Sequence, residues 1–254
     1  MTTDWGLHFL GVGSSQAVDL GSASVVLERA GRPLLMVDCG TEALSAYLER
    51  YGDVPPALFI THAHLDHVGG MERLFGKLWF GEQRGATRLL VPAALVPILH
   101  SRIGDYPGVL AEGGVNFWEA FRFVPCRRGF WLEDLWFDVF PTRHHLHNTS
   151  FGLALRGSFV FTGDTRPIPE FLENWVGEGE WVAHDCGRFG NPSHTGLDDL
   201  EASYSDALRR QLLLYHYGSP DDAALFRRHG YAVATPGMDQ PLQAPQPPRE
   251  SLDY

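Results

Sequence analysis

Four metal-ligand side chains fall within one short stretch, FITHAHLDHVGG (59–70): His62, His64, Asp66 and His67. They come directly after ALFI (57–60), a run that is apolar throughout, as expected of a strand buried on both faces. In an extended segment, positions i and i+2 point to the same side, so His62 and His64 can bind one cation together. The chain then turns at Gly69-Gly70, and Asp66 and His67 can reach a second cation. Imidazole and carboxylate together suit zinc, iron or manganese. A metal-free histidine loop is the competing reading. It would leave imidazoles and a carboxylate buried and unpaired, which is costly.

The rest of the chain supplies sheets and helices to carry such a site. WGLHFL (5–10), SASVVLER (22–29), RPLLMVDCG (32–40), RLLV (88–91), LWFDVF (135–140), FGLAL (151–155), SFVFTG (158–163), EWVAHDCG (180–187) and LLLYHYG (212–218) read as strands. TEALSAYLERYG (41–52) reads as a helix, with Thr41 as N-cap and Gly52 closing it. PAALVPILHSRI (92–103), DDLEASYSDALRRQ (198–211) and DDAALFRRHG (221–230) read as further helices. No strict strand-helix-strand rhythm and no fixed-period repeat is present, so sheets covered by helices, an α/β sandwich, are predicted. A single domain is expected over 1–240, followed by a disordered proline-rich tail over 241–254.

Composition narrows the function. The net charge of −11 repels a polyanion at long range and argues against an extended grip on nucleic acid. A local site could still hold one phosphate. Cys39, Cys126 and Cys186 lie far apart with no CxxC pair, which suggests neither a disulfide framework nor a thiolate zinc site. MTTDWGLHFLGVG lacks the pattern of a signal peptide, and no 18-residue apolar run occurs, so a cytoplasmic protein without a membrane span is expected. Gly11-x-Gly13 lacks the third glycine and the lysine of a nucleotide loop.

The His-x-His-x-Asp-His motif resembles that of the metallo-β-lactamase superfamily, and the likeness extends over roughly residues 5–236. FLGVGSS followed by LLMVDCGTEAL is similar to the opening of the ribonuclease Z branch, with Asp38-Cys39-Gly40 at a strand end. FVFTGDT (159–165) and YHYG (215–218) match two further signatures. The resemblance implies an αββα sandwich of two mixed β-sheets flanked by helices. It implies two divalent metal ions, zinc by default, with manganese or iron as alternatives. His62, His64 and one more histidine would hold one ion, Asp66, His67 and His216 the other, with Asp164 between them. In the relatives the missing histidine follows a strand within Pro-x-x-His. Pro141-Thr142-Arg143-His144 fits, which points to His144; His145 and His147, crowded into the same TRHHLHN stretch, stand as alternatives. An extended chain would turn His145 to the opposite side. The next strand also begins two residues later than in many relatives. The redox-active diiron branch usually carries glutamate at the position of His64, so histidine there favours a hydrolase.

Two such ions hold a hydroxide between them as a nucleophile and polarise the bond under attack. HDCGRFGNPSHTGLDDL (184–200) is similar to a further signature of the branch, which places Asp185 at a strand end and His194 at the start of a helical segment. His194 is then expected to donate a proton, with Asp185 orienting it, against the plainer reading of a helix cap or surface histidine. Asp66 is a second candidate for steering the nucleophile. His8, His100, His184 and His229 fit no such pattern. Arg143, Arg166 and Arg188 could contact a phosphate or form surface ion pairs. The implied activity is a phosphodiesterase acting on a small or accessible phosphodiester, nucleotide-like or cyclic, with a homodimer allowed. Hydrolysis of a lactone, thioester or β-lactam is the alternative within the fold, although those branches usually carry Gly-His-Thr near the third ligand. Transfer-RNA 3′ processing is another, although no long basic arm is recognisable. A non-enzymatic metal sensor is the third, and it has no need of a complete ligand set.

Overall fold

The structure, a computed structural model, describes residues 4–105 and 114–248. The first sheet is built from β1 (Trp5–Gly11), β2 (Ser24–Arg29), β3 (Arg32–Val37), β4 (Ala57–Phe59), β5 (Arg88–Pro92) and β6 (Arg122–Cys126). The second holds β7 (Gly129–Leu132), β8 (Leu135–Pro141), β9 (Phe151–Leu155), β10 (Phe159–Phe161), β11 (Trp181–Asp185), β12 (Leu212–Tyr215) and β13 (Ala232–Val233). A last strand, β14 (Asp239–Pro241), returns to the first sheet beside β1. The orders are β14-β1-β2-β3-β4-β5-β6 and β13-β12-β11-β10-β9-β8-β7. Both sheets follow one plan. A run of antiparallel pairings gives way to a run of parallel ones, at β3/β4 in the first and at β10/β11 in the second. The half-to-half likeness thus lies in strand direction, with no sequence period to reveal it.

The sheets pack face to face, and Phe59 of β4 stacks on Phe130 of β7 at 5.7 Å. Helices flank them: α1 (Thr41–Tyr51), α2 (Leu65–Val68), α3 (Met71–Phe80), α4 (Val96–Leu99), α5 (Pro169–Trp175), α6 (Leu197–Ser203), α7 (Asp206–Arg209) and α8 (Pro220–Arg228). This is the predicted sandwich of two mixed sheets between helices. The apolar strand beginning at Ala57 is buried at every position, as are β9, β10 and β12. None of the described helices is long and apolar enough to cross a membrane. Cys39, Cys126 and Cys186 are buried free thiols.

Some local expectations are corrected. Gly40, in place of Thr41, occupies the N-cap of α1, and the reason is space. A Cβ on Gly40 would lie 2.1 Å from the carbonyl oxygen of Asp66, and one on Gly70 2.6 Å from that of Gly40. Bare glycines let the start of α1 sit directly against the histidine motif. The single helix expected over 198–211 is two. Tyr204 is extended, its hydroxyl bonded to the Ile168 amide at 2.9 Å and lying 2.7 Å from His184 Nε2, and Ser205 caps α7. That buried hydrogen-bond pair holds the break open. The tail expected to be free from 241 is laid on the body as far as 248. Pro241 pairs with Gly6, Leu242 is buried, and the Gln246 amide donates to Arg156 at 2.8 Å. The remainder of that tail lies outside the described residues.

Candidate metal centre

The candidate metal ligands sit at or just beyond the C-terminal ends of strands in both sheets, and His194 lies in the loop between β11 and α6. Asp38 follows β3, the histidine motif follows β4, and His144 follows β8. Asp164 follows β10, Asp185 ends β11, and His216 follows β12. Asp38 and His216 are non-glycine residues at φ +63° and +64°, a left-handed backbone that turns each side chain sharply away from its strand. Such local strain is tolerated where the surrounding structure fixes the position.

Asp164 is the hub. Its Oδ2 lies 3.6 Å from His62 Nε2, 3.7 Å from His144 Nε2, 3.4 Å from His67 Nε2 and 3.4 Å from His216 Nε2. His62, His64, His144 and Asp164 form one group whose ligand atoms lie within 4.8 Å of one another, and Asp66, His67 and His216 form a second. The structure brings the residues of both expected groupings together around Asp164, and Asp164, Asp185, His194 and His216 form a third group that overlaps them.

Each imidazole is held from behind. Thr61 donates its hydroxyl to Asp38 at 2.7 Å, so its oxygen is left to accept from His62 Nδ1 at 3.0 Å. His67 Nδ1 lies 2.7 Å from Asp38 Oδ2, and His144 Nδ1 lies 2.9 Å from the carbonyl oxygen of Ser193. His216 Nδ1 faces Asp185 Oδ1 at 3.4 Å. His64 is reversed: its Nδ1 points inward, 3.3 Å from His144 Nε2, and its Nε2 meets His145 Nε2 at 2.8 Å. Outer partners of this kind fix tautomer and ring orientation in metal sites.

What faces inward is left bare. His62 Nε2, His67 Nε2, His216 Nε2 and both carboxylate oxygens of Asp164 are buried without a hydrogen-bond partner. A buried polar atom without a partner costs on the order of 1–3 kcal/mol. Five of them converging in one cluster fit divalent cations. Nitrogen and carboxylate donors without thiolate suit zinc, manganese or iron alike.

The electrostatics agree. Burial opposes ionisation of Asp164, but His216, His67 and His62 outweigh it and hold the carboxyl well below the usual range. Burial would keep His67 neutral, yet Asp164 and Asp38 push it well above its ordinary value. His216 is pushed up to about 10 against its burial, mainly by Asp164. Burial takes His144 down to about 4. Without a cation, protons on His67 and His216 stand in for positive charge.

Beside this cluster, His194 Nδ1 binds Asp185 Oδ2 at 2.8 Å, and its ring stacks on His216 at 5.1 Å. Burial lowers its basicity, but the Asp185 bond and charge raise it above its ordinary value overall. Asp185 is fully buried and also accepts from the Thr165 amide at 3.0 Å.

In the histidine knot, His144 is the buried member, while His145 and His147 are exposed. The chain is no longer extended beyond Pro141, so His145 does not point away as a strand would place it; it folds back onto His64. A turn from Leu146 to Thr149, with Asn148 at φ +62°, takes up the extra length before β9. Asp38, quoted above only as part of a signature, emerges as the residue that positions His67 and Thr61. Its burial beside a second carboxylate-histidine cluster has no local sequence signal. Arg143, Arg166 and Arg188 are engaged elsewhere, on Glu170 and Pro167, on the Arg143 carbonyl, and on Asp222. His8 pairs with Asp239, His229 faces Glu201 and His100 stacks on Trp118.

A family profile described as "Anti-Pycsar protein Apyc1" matches residues 5–232. The chain belongs to this family. The anti-Pycsar protein Apyc1 of Bacillus phage 010DV004 is 27% identical over 237 residues, covering 84% of this chain and 88% of that relative. Solved metallo-β-lactamase fold proteins superpose on almost the whole chain. A diphosphatase of the PhnP family aligns at TM-score 0.74 and 16% identity, covering 95% of this chain and 99% of its own. The short form of human tRNase Z aligns at TM-score 0.65 and 16% identity, covering 94% and 100%. At such identities the solved structures show the fold, and in this Apyc1 family member that fold carries the His/Asp cluster described above.

Proposed function

We propose that the chain is a metal-dependent hydrolase that cleaves a small phosphodiester, nucleotide-like or cyclic. The observation that carries this reading is the Asp185–His194 pair, set beside Asp164 and bonded at 2.8 Å. The family's name, which speaks of opposing Pycsar, suits a cyclic nucleotide as that ester.

When bound, a pair of divalent ions would supply Lewis-acid polarisation and acidify a water towards neutral pH. His62, His64 and His144 would hold one ion and Asp66, His67 and His216 the other, with Asp164 shared. The chain's own groups supply the proton chemistry. Asp185 accepts from His194 Nδ1, so the protonated ring presents Nε2 to the cleft as a donor. A phosphodiester leaves as an alkoxide, which needs a proton as the bond to phosphorus breaks; His194 is placed to give it. Burial opposes ionisation of Asp185, but the His194 and His216 hydrogen bonds outweigh it and hold the carboxyl below its ordinary value, so it stabilises the imidazolium. Asp66 faces His216 Nε2 at 3.6 Å and is the second carboxylate at the reacting centre.

A thioester leaves as a thiolate and a β-lactam as a nitrogen, so neither presents a leaving oxygen to an imidazolium donor; a lactone does, and the substrate panel separates it. For tRNA processing, the 19 residues between His144 and Asp164 are spent on β9 and β10, which leaves no arm there, and the charge of −11 opposes a polyanion. The test is hydrolysis of bis(p-nitrophenyl) phosphate and a panel of cyclic nucleotides by zinc- or manganese-loaded protein. Turnover of a cyclic nucleotide that collapses in His194→Ala supports the reading. Absence of turnover on every phosphodiester, with activity on a lactone or thioester, sinks it.

A further inference from the structure

His184 stands one residue before Asp185 on β11 and is fully buried, outside all the candidate metal groups. Side chains alternate along a strand, so it points away from Asp185, towards Tyr204 at the break between α6 and α7. Its Nδ1 lies 2.7 Å from the Asp185 carbonyl oxygen, and its Nε2 lies 2.7 Å from the Tyr204 hydroxyl. A carbonyl only accepts, so Nδ1 carries the proton. Burial, set against the pull of Asp185, holds the ring below its ordinary basicity, which keeps it neutral. Nε2 is then an acceptor. The Tyr204 hydroxyl donates to it and accepts from the Ile168 amide at 2.9 Å. Every donor in this chain has one direction open to it.

These bonds close a ring around Asp185. Ile168 belongs to the segment that leaves β10, and three residues earlier in it the Thr165 amide donates to Asp185 Oδ2 at 3.0 Å. The ring therefore runs from Asp185 through His184, Tyr204 and Ile168 back to Thr165 and the same carboxylate. It grips Asp185 at both ends, by its carbonyl and by the oxygen that meets His194 at 2.8 Å. A filler of the core needs apolar contact alone, whereas a histidine here supplies a directed donor to the backbone of the residue that holds His194.

We propose that His184 is a positioning residue for the Asp185–His194 pair: its Nδ1–H fixes the peptide group that follows Asp185, and Tyr204 fixes its tautomer. The proposal rests on the phosphodiesterase reading above, in which His194 gives a proton to the leaving oxygen. His184 touches no reacting atom and acts only through Asp185.

The experiment compares kcat on a cyclic nucleotide, whose leaving alkoxide needs a proton, with kcat on bis(p-nitrophenyl) phosphate, whose leaving group does not. Metal is kept in excess, because Asp185 Oδ1 also faces His216 Nδ1 at 3.4 Å. Glutamine places its amide about where Nε2 stands, so His184→Gln keeps an acceptor for Tyr204 and loses the donor to Asp185. Asparagine places an amide nitrogen about where Nδ1 stands, so His184→Asn keeps that donor and leaves Tyr204 unpaired. In His184→Gln the ratio of the two kcat values falls about tenfold, the loss expected of one hydrogen bond, with KM unchanged. In His184→Asn the ratio stays near wild type although unfolding comes at lower denaturant concentration. Equal falls on both esters, or a wild-type ratio in His184→Gln, assign His184 to the core alone and overturn the proposal. If neither variant folds, Tyr204→Phe decides, since it removes one hydroxyl and keeps the ring: a lowered ratio supports the proposal and an unchanged one overturns it. If the wild-type protein hydrolyses no phosphodiester, that reading has failed and proton NMR of the zinc-loaded protein judges the positioning. The His194 Nδ1–H signal, identified by its absence in His194→Ala, shifts or vanishes in His184→Gln and persists in His184→Asn; the same signal in both overturns the proposal.

Discussion

Asp38 Oδ2 lies 2.7 Å from Nδ1 of His67, and both side chains are fully buried. The same carboxylate accepts from the Thr61 amide at 2.8 Å and from its hydroxyl, so one residue after β3 aligns the whole start of the histidine motif after β4. Asp38→Asn tests this without changing shape, since asparagine tolerates the left-handed backbone there. The amide group cannot serve all three donors: with its oxygen at the Oδ2 position it turns its NH2 on the Thr61 amide N–H, and flipped it faces His67 Nδ1–H and the Thr61 hydroxyl with a donor. Affinity for the second metal equivalent is expected to fall about 10- to 100-fold. The unpaired buried donor is expected to cost a further ~1–3 kcal/mol in stability. Metal content after dialysis and a denaturant unfolding curve check both. Full metal retention in the variant would contradict the positioning role.

The three histidines of TRHHLHN are expected to separate cleanly. His144→Ala removes an inward nitrogen and should lose one metal equivalent. His145→Ala removes the outer partner of His64 and should weaken the same equivalent by about tenfold, the low end for outer partners. His147→Ala should change neither, because His147 belongs to none of the candidate metal groups among the described residues. Metal analysis after competition with a chelator resolves the order. A His147 variant that loses metal as His144 does would reverse the assignment.

What the sequence discloses follows from how local each interaction is. The His62/His64 pair and Asp66-His67 are legible because covalent spacing at a strand end dictates their sides. Asp164 is legible by resemblance, through Gly-Asp-Thr behind an apolar strand. Partners joined only by the fold are not. Asp38 reaches His67 across 29 residues, His145 reaches His64 across 81, and the group holding His144 is a backbone carbonyl, which no side chain announces. Strand β6 is easily missed because it is a sheet edge carrying Pro125, and edges tolerate proline. Helix α3 does show Met71, Leu74, Phe75 and Leu78 at helical spacing, all buried in the structure, with Gly76 interrupting the propensity but not the face.

His194 should control turnover without controlling metal content. His194→Ala is expected to lower kcat on a poor leaving group about 10²- to 10⁴-fold, with metal retained. The loss should shrink on bis(p-nitrophenyl) phosphate, whose leaving group needs no proton. The pH dependence has a definite sign. The Asp185 bond and charge, set against burial, raise His194 above its ordinary 6.5, so the imidazolium persists past that pH. Activity dependent on a donated proton falls on the alkaline side as that proton is lost. The variant should lose this alkaline limb. An unchanged pH profile in His194→Ala would remove His194 from the proton path.

Metal uptake should expel protons. In the metal-free cluster His216 is pushed up to about 10 and His67 is raised well above 6.5, so both rings carry protons at neutral pH. Ligation needs their bare Nε2 atoms, so each ring that binds must give one proton up. His144, taken down to about 4, has none to give. Affinity for zinc should therefore rise with pH, by roughly tenfold per unit for each proton displaced, and level off as pH passes about 10. The dependence should concentrate in the equivalent held by His67 and His216, and should be weaker for the one held by His62, His64 and His144. Zinc titrations in lightly buffered solution, with the released acid measured directly, provide the check. Two equivalents bound at neutral pH with no acid released would contradict the charge pattern assigned to this cluster.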